Sequence, residues 1–356
     1  MKVAYVSQFS DFVGGGEYSL LDLATHLPAG VEAVLVTPAE GALARRAAAA
    51  GVRAEYLPLP PVGWQTLGAL SSWRRWLKAE RPDVVHANNS RAAFYAGLAC
   101  RGLGIPVLFH CRVPERDPVM DRLLRRLVGA VIANSAATAR RFASWSGQRV
   151  HTIYNGLDVS QPLPCGAPPF GARQVVLVVG RLSDVKRQHR LVELFPDICG
   201  GRQDVHLLLA GGIDPFDPAY AERLQALIAQ SPCAGRMHWL GEVADIAGLY
   251  ACATVVVLPS RFESFGRVLV EAMGAGVPVV AFRNGGIPEV VEDGKQGMLL
   301  EEGDWDGMVV AVRQLLADDG LRRHLGEAGR ARVGNFSLQH HVQAVMQLYG
   351  EMMHAD

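Results

Sequence analysis

Two carboxylates, Glu263 and Glu271, bracket Ser264-Phe265-Gly266-Arg267-Val268-Leu269-Val270, directly after the apolar run Val255-Val256-Val257-Leu258-Pro259-Ser260. An apolar run that ends in a glycine and helix-forming residues predicts a buried strand turning into a helix. At such a turn the first helical N–H groups are unpaired and suit a diphosphate, while carboxylates accept hydrogen bonds from sugar hydroxyls. Read as helical from Phe265 to Glu271, the segment rises about 9–10 Å, roughly the separation of the two sugars in a nucleotide diphosphate sugar. A structural reading stands beside this one, because helix N-termini favour acids in any case. Against it, Val268–Met273 is otherwise apolar, so Glu271 is expected to be partly buried and in need of polar partners.

Four further segments fall at expected strand ends. Phe12-Val13-Gly14-Gly15-Gly16-Glu17-Tyr18 opens a helix soon after the first strand, either as a plain turn or as a loop that admits a phosphate or sugar. It lacks the GxGxxG spacing of dinucleotide sites. Val179-Gly180-Arg181-Leu182-Ser183-Asp184-Val185-Lys186 places two cations around a strand-to-helix turn, as a diphosphate clamp or as two solvated charges. Only four of the 35 basic residues are lysines, which favours a specific role for Lys186. His110, in Phe109-His110-Cys111-Arg112, and His86, in Val84-Val85-His86-Ala87-Asn88-Asn89, leave buried strands. Each is placed either to serve a hydroxyl or a proton transfer, or to be structural. Asn134 and Asn155, the latter in Tyr154-Asn155-Gly156-Leu157-Asp158, are expected on the rim of a cleft.

The elements that must position these residues follow from alternating apolar and amphipathic stretches. Strands are expected at Val3–Ser7, Val31–Thr37, Asp83–Ala87, Val107–His110 and Ala130–Asn134, with helices at Tyr18–Leu27, Gly41–Ala50, Leu67–Glu80, Ala92–Gly102 and Met120–Val128. A second series of strands covers Val175–Gly180, Val205–Ala210, His238–Leu240, Thr254–Leu258, Val277–Ala281 and Gly297–Leu300. Helices are expected at Trp305–Ala317, Leu321–Val333 and Leu338–Met353. Strands apolar on both faces and alternating with helices give an α/β protein of two doubly wound, Rossmann-like domains facing a central cleft. The expected division is residues 1–165, residues 166–336 and a final helix, 337–356, crossing back to the first domain, with Pro162–Pro169 as linker.

Bulk properties narrow the class. At 356 residues the chain exceeds one ordinary core. No apolar run approaches the roughly 20 residues that span a bilayer, and the first apolar stretch is too short for a signal peptide. The six cysteines show no CxxC spacing, as expected of buried thiols in a reducing cytoplasm. Net charge is zero, yet residues 1–165 carry 18 Lys+Arg against 12 Asp+Glu and the remainder 17 against 23, a weak hint of an anionic partner for the first half. Walker, HExxH and GxSxG patterns are absent. Asp214 and Asp217 lie among prolines, as a loop and not a metal site.

Taken in order, these segments resemble the retaining glycosyltransferases of family four, which adopt the GT-B fold. The resemblance rests on Gly14–Gly16, Asp83-Val84-Val85-His86-Ala87, Ala133-Asn134-Ser135 and Tyr154-Asn155-Gly156-Leu157-Asp158. It continues through Val179-Gly180-Arg181-Leu182 with Lys186, the two glutamates, Ala275–Ala281 and Gly285-Gly286-Ile287-Pro288-Glu289-Val290. It implies transfer of a sugar from a nucleotide diphosphate sugar to a hydroxyl acceptor with retained configuration, no cofactor and no metal. Arg181 and Lys186 would neutralise the diphosphate, Glu271 would hold the ribose, and Glu263 and His110 the transferred sugar. Gly15, Gly16 and the backbone of Phe265, Gly266, Val268 and Leu269 would contact sugar or phosphate, and Gly241 and Val243 the base. Asn134, Asn155 and His86 would lie on the acceptor side. Two departures stand out: three glycines where many relatives have two, and Cys111 where an acid is frequent. An epimerase or phosphorylase of the same fold, or a non-catalytic sugar-binding protein, stays open. So does peripheral contact of a cytoplasmic protein with a membrane that carries a lipid-linked acceptor, through the basic, tryptophan-bearing stretch Leu67–Lys78 and Arg122, Arg125 and Arg126.

Overall fold

The computed structural model describes residues 1–145, 149–158, 169–243 and 245–354. The chain divides into two compact units, Met1–Leu157 with Ser337–Asp356, and Asp158–Phe336. The division lies ahead of the expected boundary at residue 165, and the expected linker at 162–169 falls almost wholly outside the described residues.

In the first unit, β1 (Lys2–Val6), β2 (Glu32–Thr37), β3 (Arg53–Tyr56), β4 (Val84–Ala87), β5 (Val107–Cys111), β6 (Ala130–Ala133) and β7 (Val150–Thr152) form one parallel sheet, ordered β3-β2-β1-β4-β5-β6-β7. The order reverses between β1 and β4, where Tyr5 is in register with His86. Both faces are covered, which is why the central strands are buried throughout. One face packs Trp73, Tyr95, Phe109 and Phe142. The other packs Tyr5, Leu20, Leu23 and Leu35 with Val345, Leu348 and Tyr349, so the helix Leu338–Met353 belongs to this unit.

The second unit repeats the plan with β8 (Gln174–Val179), β9 (Val205–Ala210), β10 (Met237–Trp239), β11 (Val255–Leu258), β12 (Val279–Phe282) and β13 (Gly297–Leu300), ordered β10-β9-β8-β11-β12-β13. Its reversal lies between β8 and β11. Ligands of doubly wound sheets bind at the carboxyl ends of strands beside such a reversal.

Three sequence expectations need correction. Strands β3 and β7 are additional; Arg-Ala-Glu-Tyr and Val-His-Thr lie at sheet edges, half solvated, and so lack an apolar run. The first helix is Gly15–Thr25, so the glycine loop is itself the helix start. The helix expected from Phe265 begins at Arg267, because Gly266 adopts left-handed φ/ψ of 87°/48°. Glu263 therefore sits on a turn ahead of the helix that carries Glu271.

Candidate active site

The first unit gathers polar side chains where β1, β4 and β5 end. Glu17 accepts from the Gly14 N–H (3.1 Å), closing the first turn of the helix, and burial raises its carboxyl. Gly14 and Gly15 are exposed. At Gly16 a Cβ would come within 2.9 Å of Arg112 Cδ, so the missing side chain there makes room for the protein's own arginine. Asn88 Nδ2 donates to the Gly16 carbonyl (3.2 Å). Arg112 donates from Nε to Asn88 Oδ1 (2.7 Å) and from Nη1 to Asn155 Oδ1 (2.5 Å), and the Ser19 hydroxyl joins Asn155 (3.3 Å).

His110 lies at the centre of this group, fully buried, with Nδ1 3.1 Å from His86 Nε2 and 3.3 Å from Arg112 Nη2. Its Nε2 is buried without a hydrogen-bond partner among the described residues. Burial, reinforced by Arg112, holds both His110 and His86 well below the ordinary histidine range. His86 and the two asparagines are buried and bonded within the unit. His86 is fully buried between His110 and Tyr349, Asn155 is tied to Arg112, and Asn134 accepts from the Thr138 hydroxyl (2.8 Å). Inward-turned residues at the ends of buried strands must find partners inside the unit. Cys111, in place of an acid, donates to the Val113 carbonyl (3.1 Å), and burial pushes its thiol up to about 11.

The second unit brings together segments far apart in sequence. Lys186, on the single turn Asp184–Lys186 after β8, forms an ion pair with Glu263 from the turn after β11. Arg181 Nε lies 3.2 Å from Asp214, and its guanidinium sits 6.0 Å from the centre of the Phe216 ring. Glu271 is held at both oxygens, by Arg267 Nε (2.8 Å) and the Tyr250 hydroxyl (2.8 Å). Burial, then the adjacent carboxylate, pushes the Tyr250 phenol well up, so it stays a donor. The Glu263 carbonyl accepts from the Gly286 N–H (2.9 Å), and the approach depends on Gly285, whose φ is 52° and where a Cβ would lie 1.9 Å from that carbonyl.

The remaining expected contacts fall out unevenly. The Phe265 ring is core, packed edge-on against Phe336, and the Leu269 N–H is already donated to the Gly266 carbonyl (2.9 Å). The Val268 side chain is half-buried at the start of the helix. Gly241 accepts from the Gly211 N–H (2.8 Å), and Val243 is half-buried beside Ala244, which lies outside the described residues. No group of three or more His, Cys, Asp or Glu side chains among the described residues is placed to hold a metal ion.

Sequence reasoning passed over Asn88, Arg112, Asp214, Tyr250, Arg267 and Tyr349. Arg112 had a signal, following His110 off the same strand, and so had Arg267, one helical turn before Glu271; the others become partners only through tertiary packing. The expected lipid-facing helix turns Trp73 into the core, where its Nε1 donates to the Pro58 carbonyl (2.9 Å), leaving Trp64 and Leu67 exposed near its start. No helix among the described residues is long and apolar enough to cross a membrane.

Comparison with known proteins identifies the family. Residues 168–332 match the family described as glycosyl transferases group 1, and residues 13–161 match glycosyltransferase family 4. The chain is 34% identical over 229 residues to N-acetyl-alpha-D-glucosaminyl L-malate synthase of Bacillus anthracis, an alignment spanning 61% of this chain but only 58% of that relative. With alpha-maltose-1-phosphate synthase of Mycolicibacterium smegmatis the identity is 31% over 311 residues, spanning 76% and 79%. Among solved structures, Anabaena HepE in complex with UDP and glucose superposes with a TM-score of 0.87 at 25% identity, covering 99% of this chain and all of that one. The chain belongs to glycosyltransferase family four and has the GT-B fold.

Proposed function

We propose that the protein transfers a glycosyl group from a nucleotide diphosphate sugar to a hydroxyl acceptor with retention of configuration and without a metal. The observation that carries this reading is the Lys186–Glu263 ion pair, which joins the turns after β8 and β11 beside the sheet reversal. Breaking the bond between the anomeric carbon and the diphosphate oxygen builds negative charge on the leaving group. Cations already in place are the effective way to stabilise it. Lys186 and Arg181 supply them, with the diphosphate competing against Glu263 and Asp214 for the two side chains. Glu263, so released, accepts from a hydroxyl of the transferred sugar, and Glu271, oriented by Tyr250 and Arg267, accepts from the ribose. The acceptor oxygen attacks on the face that the diphosphate leaves, and a phosphate oxygen takes its proton, so no protein base is required. His110 contributes a hydrogen bond to the sugar.

The structure of HepE in complex with UDP and glucose supports a nucleotide-sugar donor. The test is a thermal-shift panel of UDP, GDP and ADP, followed by assay of the matching sugar donors for released nucleoside diphosphate. One nucleotide is expected to raise the melting temperature, and its sugar conjugate to be consumed in the presence of a hydroxyl acceptor. Absence of any shift across the panel would overturn the proposal.

A further inference from the structure

A polar chain crosses the first unit from β1 to β5 by way of the C-terminal helix. The Tyr349 hydroxyl lies 3.2 Å from the Tyr5 hydroxyl on β1 and 2.5 Å from His86 Nδ1 on β4. His86 Nε2 lies 3.1 Å from His110 Nδ1 on β5, and Arg112 Nη2 approaches the same nitrogen at 3.3 Å. Tyr5, His86, His110 and Tyr349 are all fully buried, so water does not scramble the pattern.

Counting donors orients the chain. A guanidinium only donates, so Arg112 favours a lone pair at His110 Nδ1 and the single proton of the ring on Nε2. The lone pair also faces His86 Nε2, which must then carry its own proton. His86 Nδ1 is left as an acceptor, the hydroxyl proton of Tyr349 satisfies it, and the Tyr5 hydroxyl then turns its own proton to the Tyr349 oxygen. Each tautomer thus follows from its neighbour, with Arg112 at one end and Tyr349 at the other. The free terminus is His110 Nε2–H, buried and without a partner among the described residues. The remaining ring that faces His110 is His341, 6.0 Å away, whose Nδ1 donates to the Tyr154 carbonyl (2.7 Å).

We propose that Tyr349, acting through His86, is a positioning residue that holds His110 as an N–H donor at Nε2 for a hydroxyl oxygen of the bound sugar. The ligand class rests on the glycosyl-transfer reading above; the tautomer does not. Glycosyl transfer needs such a donor more than it needs a base at this point, because a hydroxyl held by an N–H cannot turn its lone pair elsewhere. The C-terminal helix would therefore shape the sugar contact of the first unit through His86 and not by a contact of its own.

The experiment is long-range proton–nitrogen NMR of the 15N-histidine-labelled protein at neutral pH, which reads the tautomer of each ring, combined with transfer kinetics. Wild type is expected to show His110 protonated at Nε2 alone. Tyr349→Phe, which keeps the ring and removes the hydroxyl, is expected to admit the second tautomer at His86 and His110. The same variant is expected to lower kcat about tenfold, the worth of one ordinary hydrogen bond, with nucleoside diphosphate affinity unchanged. In Tyr349→Phe/His86→Gln, the glutamine amide donates to His110 Nδ1 unaided, and both tautomer and rate are expected to return; damage to folding would not be rescued in this way. A His110 spectrum indifferent to Tyr349→Phe, or Nδ1-protonated in wild type, would overturn the proposal. The expected tautomer shift in a protein that consumes no nucleotide sugar would uphold the positioning role and overturn the glycosyl-transfer reading instead.

Discussion

The two units place polar side chains at the same point of the same strand order and equip them in opposite ways. After β4, β5 and β7 the groups are mostly neutral or amide, buried, and joined by hydrogen bonds to one another: His86, His110, Asn88 and Asn155, with the Arg112 guanidinium among them. After β8 and β11 they are ion pairs still in reach of water, Lys186–Glu263 and Arg181–Asp214, with Lys186 23% and Arg181 34% exposed. A partly solvated ion pair exchanges partners at small cost, since its net worth is small. A buried neutral network does not exchange; it fixes which atom donates and which accepts. The first arrangement suits recognition of hydroxyls, and the second suits an anion that arrives and departs.

The contrast can be broken, and the strongest test is charge removal. Lys186→Met keeps the stem and removes the ammonium, and kcat/KM is expected to fall roughly a thousandfold, about 4 kcal/mol of lost stabilisation. Initial rates with His110→Phe alongside would break the comparison if the histidine change cost more than the lysine change.

Next comes the pH response of the neutral half. Burial, helped by Arg112, lowers His341 from 6.5 to about 4. A histidine with a depressed folded-state value leaves the unfolded chain binding more protons below 6.5. Its contribution is complete above that pH and is lost progressively as pH falls toward about 4. Across that window it amounts to about 3 kcal/mol. Urea unfolding of wild type and His341→Phe at a series of pH values should show the difference between them shrinking by that amount on acidification. A constant difference would mean that the ring is not buried neutral.

The smallest effect divides the two glutamates. Glu271→Gln is expected to weaken nucleoside diphosphate binding about tenfold by calorimetry, with little change in rate at saturating donor. Glu263→Gln is expected to do the reverse. Equal losses in both measurements would remove the distinction between ribose and sugar recognition.

Reading the chain unaided captured the buried strands because each is an apolar run between turn signals. It missed β3 and β7 because pairing along a sheet edge leaves no such run in Arg53–Tyr56 or Val150–Thr152. Lys186, Glu263, Glu271 and His110 could be singled out because polar residues at the ends of apolar strands are conspicuous. Several partners from distant segments could not. Asp214 answers Arg181 from a loop after β9, and Tyr349 answers His86 across 263 positions, distances that only the sheet order closes. The start of the helix at Arg267 was misjudged because a left-handed Gly266 shifts it without any change in composition.

The place of the last helix has a consequence for synthesis. The second unit is continuous in sequence, so all of it is made, and leaves the ribosome, ahead of residues 338–353. The first unit, begun earliest, lacks Val345, Leu348 and Tyr349 against Tyr5 and Leu20 until the last helix has emerged. Domains generally fold in the order they emerge, but here the later unit can close first. The earlier one must wait with an apolar face uncovered, and that interval is when a nascent chain most needs a chaperone.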